Sequence, residues 1–213
     1  MAQELEQTTT QSFYDRIADV HNLALKINGY RQSVEKYLKS LDLEIDENSY
    51  VLDAGSGTGI VTLGFQSAGF RPRKTVALDL SLNSLKIARD EFRKDKQTDA
   101  GNVAAVQGNV LQMPFADETF DLVLSCGVLE YVPLDEGLRE MARVMKTGAR
   151  LVFIPVKPSL IGSVLEFLYK FKAHPLKNVR KISQQYFNIV GRYEFPITEP
   201  IGWSKMIFLL EKK

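Results

Sequence analysis

A chain of 213 residues, 45% of them hydrophobic, is long enough to build one α/β unit around a substantial core, and its composition argues against disorder. Its 27 basic and 26 acidic side chains leave a net charge of +1, so no global field marks it for nucleic acid or an anionic surface. The single cysteine, Cys126, rules out an intramolecular disulfide and a cysteine-rich zinc site and suits a reducing compartment; no metal site is expected.

Residues 1–11 are polar and acidic, without the basic and then apolar profile of a secretion signal. From Ser12 to Leu41 apolar residues recur at helical spacing, from Phe13, Ile17 and Val20 through Leu23 and Ile27 to Val34, Leu38 and Leu41, with Gly29 separating two helices. Within the first stretch, Tyr14 and His21 lie close to two helical turns apart and share a face.

From Tyr50 onward, short apolar strands alternate with helices. Strands are predicted at Tyr50–Ala54, Thr75–Asp79, Val103–Gln107, Phe120–Ser125 and Arg150–Ile154, and helices near Ile60–Ala68, Leu82–Lys94 and Asp135–Lys146. Ser81 is placed to cap the second helix, and Gly148 to follow the third in a left-handed turn. This alternation predicts parallel strands joined by right-handed crossovers, with helices on both faces.

A helix is predicted over Ser159–Lys172, then two strand-like runs, Tyr186–Phe195 and Trp203–Glu211, whose short link contains Pro200 and suits an antiparallel hairpin. No boundary divides the chain, so residues 1–213 are expected to form a single α/β domain: a seven-stranded, mostly parallel sheet ending in an antiparallel hairpin. Apolar runs are interrupted well before the roughly 18 residues of a spanning helix, and a cytoplasmic protein without transmembrane segments is expected.

The most informative segment is Val51-Leu52-Asp53-Ala54-Gly55-Ser56-Gly57-Thr58-Gly59, where an apolar strand runs through three alternate glycines into a helix. Such a turn brings backbone N–H groups close to a ligand at a helix N-terminus. A dinucleotide loop, G-x-G-x-x-G, would place its third glycine at Ile60, which disfavours a nicotinamide-dependent oxidoreductase. Asp79 ends the second strand, where a carboxylate either accepts hydrogen bonds from a ribose diol or merely begins the turn before Ser81.

The form D-x-G-x-G-x-G, followed by Asp79 at the end of the next strand, resembles the class I S-adenosylmethionine-dependent methyltransferases, and the nearest likeness is to their small-molecule quinone- and sterol-type branch. The likeness runs from about Tyr14 to the C-terminus and is strongest between Val51 and Gly148. It implies the Rossmann-like form of the sheet and S-adenosyl-L-methionine as cofactor. Gly55, Gly57 and Gly59 would line its methionine portion, Asp53 would hold the ammonium directly or through water, and Asp79 the ribose. Leu80 and Val110 would flank the adenosine, and Ser125 would stand near the transferable methyl. Asn109 occupies a position where relatives commonly carry Asp; its amide oxygen can accept from the adenine amino group.

In similar enzymes an N-terminal helix folds over the cofactor, so residues 1–45 are expected to act as a lid carrying Tyr14. Methyl transfer needs positioning more than a fixed base, because the cofactor carries the activated group. Candidates for a base, should one exist, are Glu130, Tyr131, His21 and Tyr14, although His21 also suits a surface or cap position. Relatives often have histidine where Tyr131 stands, so no role transfers to it.

Residues 155–182 form a substrate-side insert, with Leu160, Ile161, Val164, Leu165, Leu168 and Phe171 followed by Lys172, Lys177, Arg180 and Lys181. Three readings stand: core packing with a solvated basic end, a pocket for a lipophilic acceptor, or a peripheral membrane contact. The strand-four loop lacks the Asn/Asp-Pro-Pro-aromatic element of base-amine methyltransferases, so no nucleic-acid partner is expected. A small-molecule acceptor is the leading expectation, with a protein methyltransferase or a non-catalytic S-adenosylmethionine-binding protein as alternatives.

Overall fold

Strand residues in this chain alternate between two cores. In β1 (Tyr50–Ala54), Val51 faces one and Leu52 the other; in β4 (Phe120–Cys126), Leu122 and Leu124 oppose Val123. A sheet with apolar residues on both faces must be covered on both. The computed structural model describes Leu23 and residues 27–196 and 198–213; Tyr14 and His21 lie outside the described residues.

The remaining strands are β2 (Lys74–Asp79), β3 (Val103–Gln107), β5 (Met145–Ile154), β6 (Phe187–Glu194) and β7 (Met206–Lys212). They form one seven-stranded sheet in the order β3-β2-β1-β4-β5-β7-β6, and only β7 runs against its neighbours. This is the mostly parallel, Rossmann-like α/β sheet with a closing antiparallel hairpin.

The helices are α1 (Tyr30–Ser40), α2 (Ile60–Ser67), α3 (Leu82–Lys94), α4 (Leu134–Val144), α5 (Leu160–Tyr169) and α6 (Leu176–Tyr186). One face is covered by α1 and α2 through Val34, Leu38, Val61 and Phe65. On that face α3 sets Ala88 and Phe92 against Ala77 and Leu63. The opposite face is covered by α4 and α6 through Leu138, Met141 and Val179. Ser81 caps α3 as expected, accepting from the Ser84 N–H at 3.1 Å. Left-handed Gly29, with φ 65°, stands at the head of α1.

Three expectations need correction. The third predicted helix ends at Val144, and β5 begins at Met145 rather than Arg150. Gly148 is left-handed, with φ 79°, but lies inside β5, where the register jumps from Phe120↔Met145 to Leu122↔Arg150. The special conformation therefore serves a bulge instead of a helix end. Second, the helix expected over Ser159–Lys172 stops at Tyr169, with Lys170 left-handed after it. Third, α6 stands where no helix was predicted. Leu176, Val179, Ile182 and Tyr186 have helical spacing, and all four pack into or against the core, but the lysines and arginine between them masked the period.

Candidate active site

The parallel strands finish on one side of the sheet, and a cavity of about 540 Å³ opens there between the ends of β1, β2 and β4, the α5 segment and the β6–β7 link. Open α/β sheets hold ligands at this edge.

β1 exits into Gly55, Gly57 and Gly59, all left-handed, with φ 76°, 53° and 83°. A Cβ on Gly59 would sit 2.5 Å from the Phe92 ring and one on Gly55 2.4 Å from Val128, whereas one on Gly57 would meet nothing within 4 Å. Two of the glycines thus permit close packing, and Gly57 leaves the cavity wall bare. Gly55 and Gly57 line the cavity; Gly59 heads α2 behind it.

The bend is tied to β2. The N–H groups of Gly55 and Ser56 donate to the Leu78 carbonyl at 2.8 and 2.9 Å, and the Gly57 N–H donates to Asp79 Oδ2 at 2.7 Å. Asp79 Oδ1 accepts from the Ser81 N–H at 2.9 Å. Asp79 therefore does both things considered from sequence: it begins the turn, and it faces the bend from the cavity wall beside Leu80.

Asp53 does not line the cavity. Its Oδ2 accepts from the backbone and hydroxyl of Thr62, at 3.0 and 2.7 Å, while Oδ1 is buried without a partner. Desolvation pushes its pKa up to about 7, against the opposing pull of the Thr62 bonds. Ser125, paired in register with Ala54, is also fully buried, and its hydroxyl has no partner.

Asn109 and Val110 line the cavity beyond β3. The Asn109 amide oxygen accepts from the Leu111 N–H at 2.9 Å and so shapes the local turn; a carbonyl oxygen has two acceptor sites, so a second bond is compatible with this. The chain from there to β4 has no helix of its own and is held by Arg143 of α4. That guanidinium bonds Glu140 through two nitrogens at 2.8 and 2.7 Å, Asp117 at 2.7 Å, and the carbonyls of Phe115 and Met113. Burial pushes the Glu140 carboxyl up, but the bonds from Arg143 and the Met113 N–H outweigh it and hold it below its ordinary value.

Of the catalytic candidates, Tyr131 lines the cavity, but its hydroxyl donates to the Tyr169 carbonyl at 3.2 Å and its ring meets Phe171 edge-on. Glu130 is buried outside the lining and accepts from the Val156 N–H, bracing the exit of β5.

Several residues that line this cavity were not singled out from sequence. Tyr30 of α1 bonds Cys126 at the end of β4, 2.8 Å from hydroxyl to sulfur. Burial, reinforced by the other group and by Glu130, pushes the Tyr30 phenol well up; burial also raises the Cys126 thiol, partly offset by Lys205. Lys205, Trp203 and Tyr169 line the far end with Ile161, Leu165 and Phe171 of the predicted apolar face. Only the apolar period of α5 offered a sequence signal for that end.

A profile of the methyltransferase domain matches residues 52–153. The chain is 31% identical over 182 residues to a demethylmenaquinone methyltransferase of Shouchella clausii, covering 83% of this chain and 75% of that one. The chain belongs to the class I S-adenosylmethionine-dependent methyltransferases, on their quinone-type branch. This methyltransferase is also 32% identical over 130 residues to the ubiquinone/menaquinone biosynthesis C-methyltransferase UbiE of Escherichia coli, spanning 61% of its own length and 51% of that relative's. Its fold matches the N-methyltransferase NodS of Bradyrhizobium japonicum, solved with S-adenosyl-L-homocysteine, at a TM-score of 0.74 and 16% identity over 95% of this chain and 98% of that one.

S-adenosylmethionine fits the residues present. Asp53 Oδ1, Ser56 Oγ, Thr58 Oγ1 and Ser125 Oγ are buried polar atoms without partners, gathered on β1, its neighbour β4 and the bend. Buried polar groups left unpaired are costly, and a ligand's amino-acid group would offer partners to those of Ser56 and Thr58, which line the cavity, with Asp53 and Ser125 directly behind them. Asp79 and the bare wall at Gly57 suit the nucleoside.

Proposed function

We propose that this methyltransferase moves a methyl group by in-line displacement to a small lipophilic acceptor held at the far end of the cavity. The carrying observation is continuity: one cavity runs from Asp79 and the glycine bend to an apolar end formed by Ile161, Leu165, Tyr169, Phe171 and Trp203. When bound, S-adenosylmethionine supplies a methyl group already activated on a sulfonium. The chain's part is to hold the cofactor, align the acceptor and exclude water, which contributes several kcal/mol and about 7–11 in ideal cases. Asp79 would accept from the ribose, Asp53 from the ammonium, and the turn at Asn109 and Val110 would border the adenine.

The name of the Shouchella clausii relative supports a quinone-like acceptor, and both relatives carry the names of methyltransferases. Nothing in them favours a protein acceptor or a non-catalytic binder. In this reading residues 155–182 form the acceptor side, since α5 lines the cavity, and α1 belongs to the cover over it through Tyr30. Among the described residues no helix is long and apolar enough to cross a membrane. Beside the cavity, α5 leaves Leu160 and Phe167 90% and 85% exposed, with Lys170, Lys172 and Lys177 following; this favours peripheral contact with a lipid surface that stores such acceptors.

Transfer of a radiolabelled methyl group to a panel of quinols, isoprenoids and peptides tests the reading. Label is expected in the organic extract with the lipophilic compounds; label on peptides alone, or no transfer to any lipophilic compound despite bound cofactor, overturns it.

A further inference from the structure

Lysine is seldom buried without a partner. Lys205 is only 9% exposed and lines the cavity, yet among the described residues its ammonium enters no ion pair and no side-chain hydrogen bond. Its position is built. The backbone N–H of Lys205 donates to the Ile201 carbonyl at 2.9 Å, and the residue bridges Val156 just beyond β5. Its Nζ lies over Gly127, 2.7 Å from where a Cβ would stand. The missing side chain at the end of β4 is what gives the ammonium room.

We propose that Lys205 makes the acceptor end of the cavity selective for molecules carrying an oxyanion, a carboxylate or an ionised hydroxyl, on an otherwise apolar body. This rests on the reading that the far end of the cavity takes the acceptor. The Lys205 side chain reaches back from the start of β7 to Gly127, just past β4, and β4 lies two strand spacings from β2, which carries Asp79, roughly 10 Å at the usual separation. The cation is therefore separated from the ribose-side carboxylate by the width of β1, and it shares the cavity wall with Trp203, Tyr169 and Leu165.

Among the described residues no carboxylate bonds the ammonium directly, although Glu130 and Asp53 lie close enough to act on the neighbouring Cys126. Cys126 and Tyr30 are bonded to each other and kept protonated by burial, and Glu130 gives Oε1 to the Val156 N–H while its Oε2 is buried without a partner. A buried ammonium without a bonded partner is costly, and an incoming oxyanion would supply that partner. Opposite charge at close range lowers the pKa of an acid by about 1–3 units, so a weakly acidic hydroxyl would ionise at this site. Its proton goes to solvent before any methyl transfer. A site that receives its acceptor already ionised needs no general base.

Trp203 is the sole tryptophan and lines the same end, so its fluorescence reports occupancy directly. The full chain, saturated with S-adenosyl-L-homocysteine, is titrated with 2-naphthoate and with the neutral, nearly isosteric 2-naphthamide. Wild type is expected to bind naphthoate about tenfold more tightly or better. Lys205→Met should erase the preference while leaving naphthamide and S-adenosyl-L-homocysteine affinities within twofold, and Lys205→Arg should retain it.

A second arm follows the absorbance of bound 2-naphthol against pH. Ionisation at lower pH than in water, lost in Lys205→Met, assigns an ionised hydroxyl; naphthoate preference alone assigns a carboxylate. Equal binding of the naphthoate and naphthamide probes by wild type overturns the inference, as does a fall of about tenfold in S-adenosyl-L-homocysteine affinity in Lys205→Met, which would give the lysine to the cofactor. Failure of wild type to bind S-adenosyl-L-homocysteine by calorimetry is a separate result and sinks the functional reading itself.

Discussion

The two ends of the cavity are built by different physics. At the Asp79 end, positions are set by backbone: three left-handed glycines, two N–H groups sharing the Leu78 carbonyl, and a third on the Asp79 carboxylate. At the Lys205 end they are set by side chains from α5, the loop after it and the β6–β7 link, brought together over long stretches of sequence. A hydrogen-bonded bend defines one ligand shape closely, whereas an apolar wall accepts a range of shapes and discriminates through a few polar groups. One fold can thus keep its cofactor and change its acceptor.

The sharpest way to break this contrast is Asp79→Ala. Loss of two charge-assisted bonds to a ribose predicts a fall of about 100-fold or more in S-adenosyl-L-homocysteine affinity by calorimetry. A change below threefold would mean that Asp79 only shapes the turn. Next come the glycines. Gly59→Val forces a side chain into Phe92 and should cost about 3 kcal/mol in denaturant unfolding. Gly57→Ala meets no neighbour and should cost only about 1–2 kcal/mol from its backbone, while lowering cofactor affinity by more than its stability loss implies. If the two variants lose stability equally, the division of labour along the bend is wrong.

Asp53 supplies a pH test. Burial holds its folded-state pKa near 7, above the ordinary 3.8, so the folded chain without ligand is penalised as pH rises from about 4 through 7. A cofactor ammonium would favour the ionised form. Affinity for S-adenosyl-L-homocysteine should therefore rise about tenfold between pH 6 and 8, and Asp53→Asn should flatten that slope and also reduce the loss of melting temperature over the lower range. A wild-type slope that survives the substitution assigns the titration elsewhere. The smallest change in stability is expected from Phe167→Glu, within about 0.5 kcal/mol on an exposed surface. Co-sedimentation with anionic liposomes should nevertheless be lost; equal sedimentation of both proteins removes the membrane contact.

What could be read from sequence divides along the same line. The bend, Asp79 and the cap at Ser81 are local features whose spacing states their geometry, and the strand alternation predicted the sheet, including its final hairpin. Gly148 was recognised as special but assigned to the wrong turn, because a bulge and a helix end ask the same of a backbone. α6 was hidden by its charged face. Lys205 carried no local signal: nothing between Ser204 and Met206 tells that the intervening cation is buried, because that follows from Gly127, 78 positions earlier in the chain.

β7 has a further bearing on how the molecule assembles. It follows β6 in the chain but inserts between β5 and β6. Until it is synthesised, β5 exposes an unpaired edge and β6 has no place to dock, the state in which nascent sheets are most exposed to aggregation. Lys205 immediately precedes this strand, so the half of the cavity proposed to hold the acceptor takes shape only when the sheet is closed.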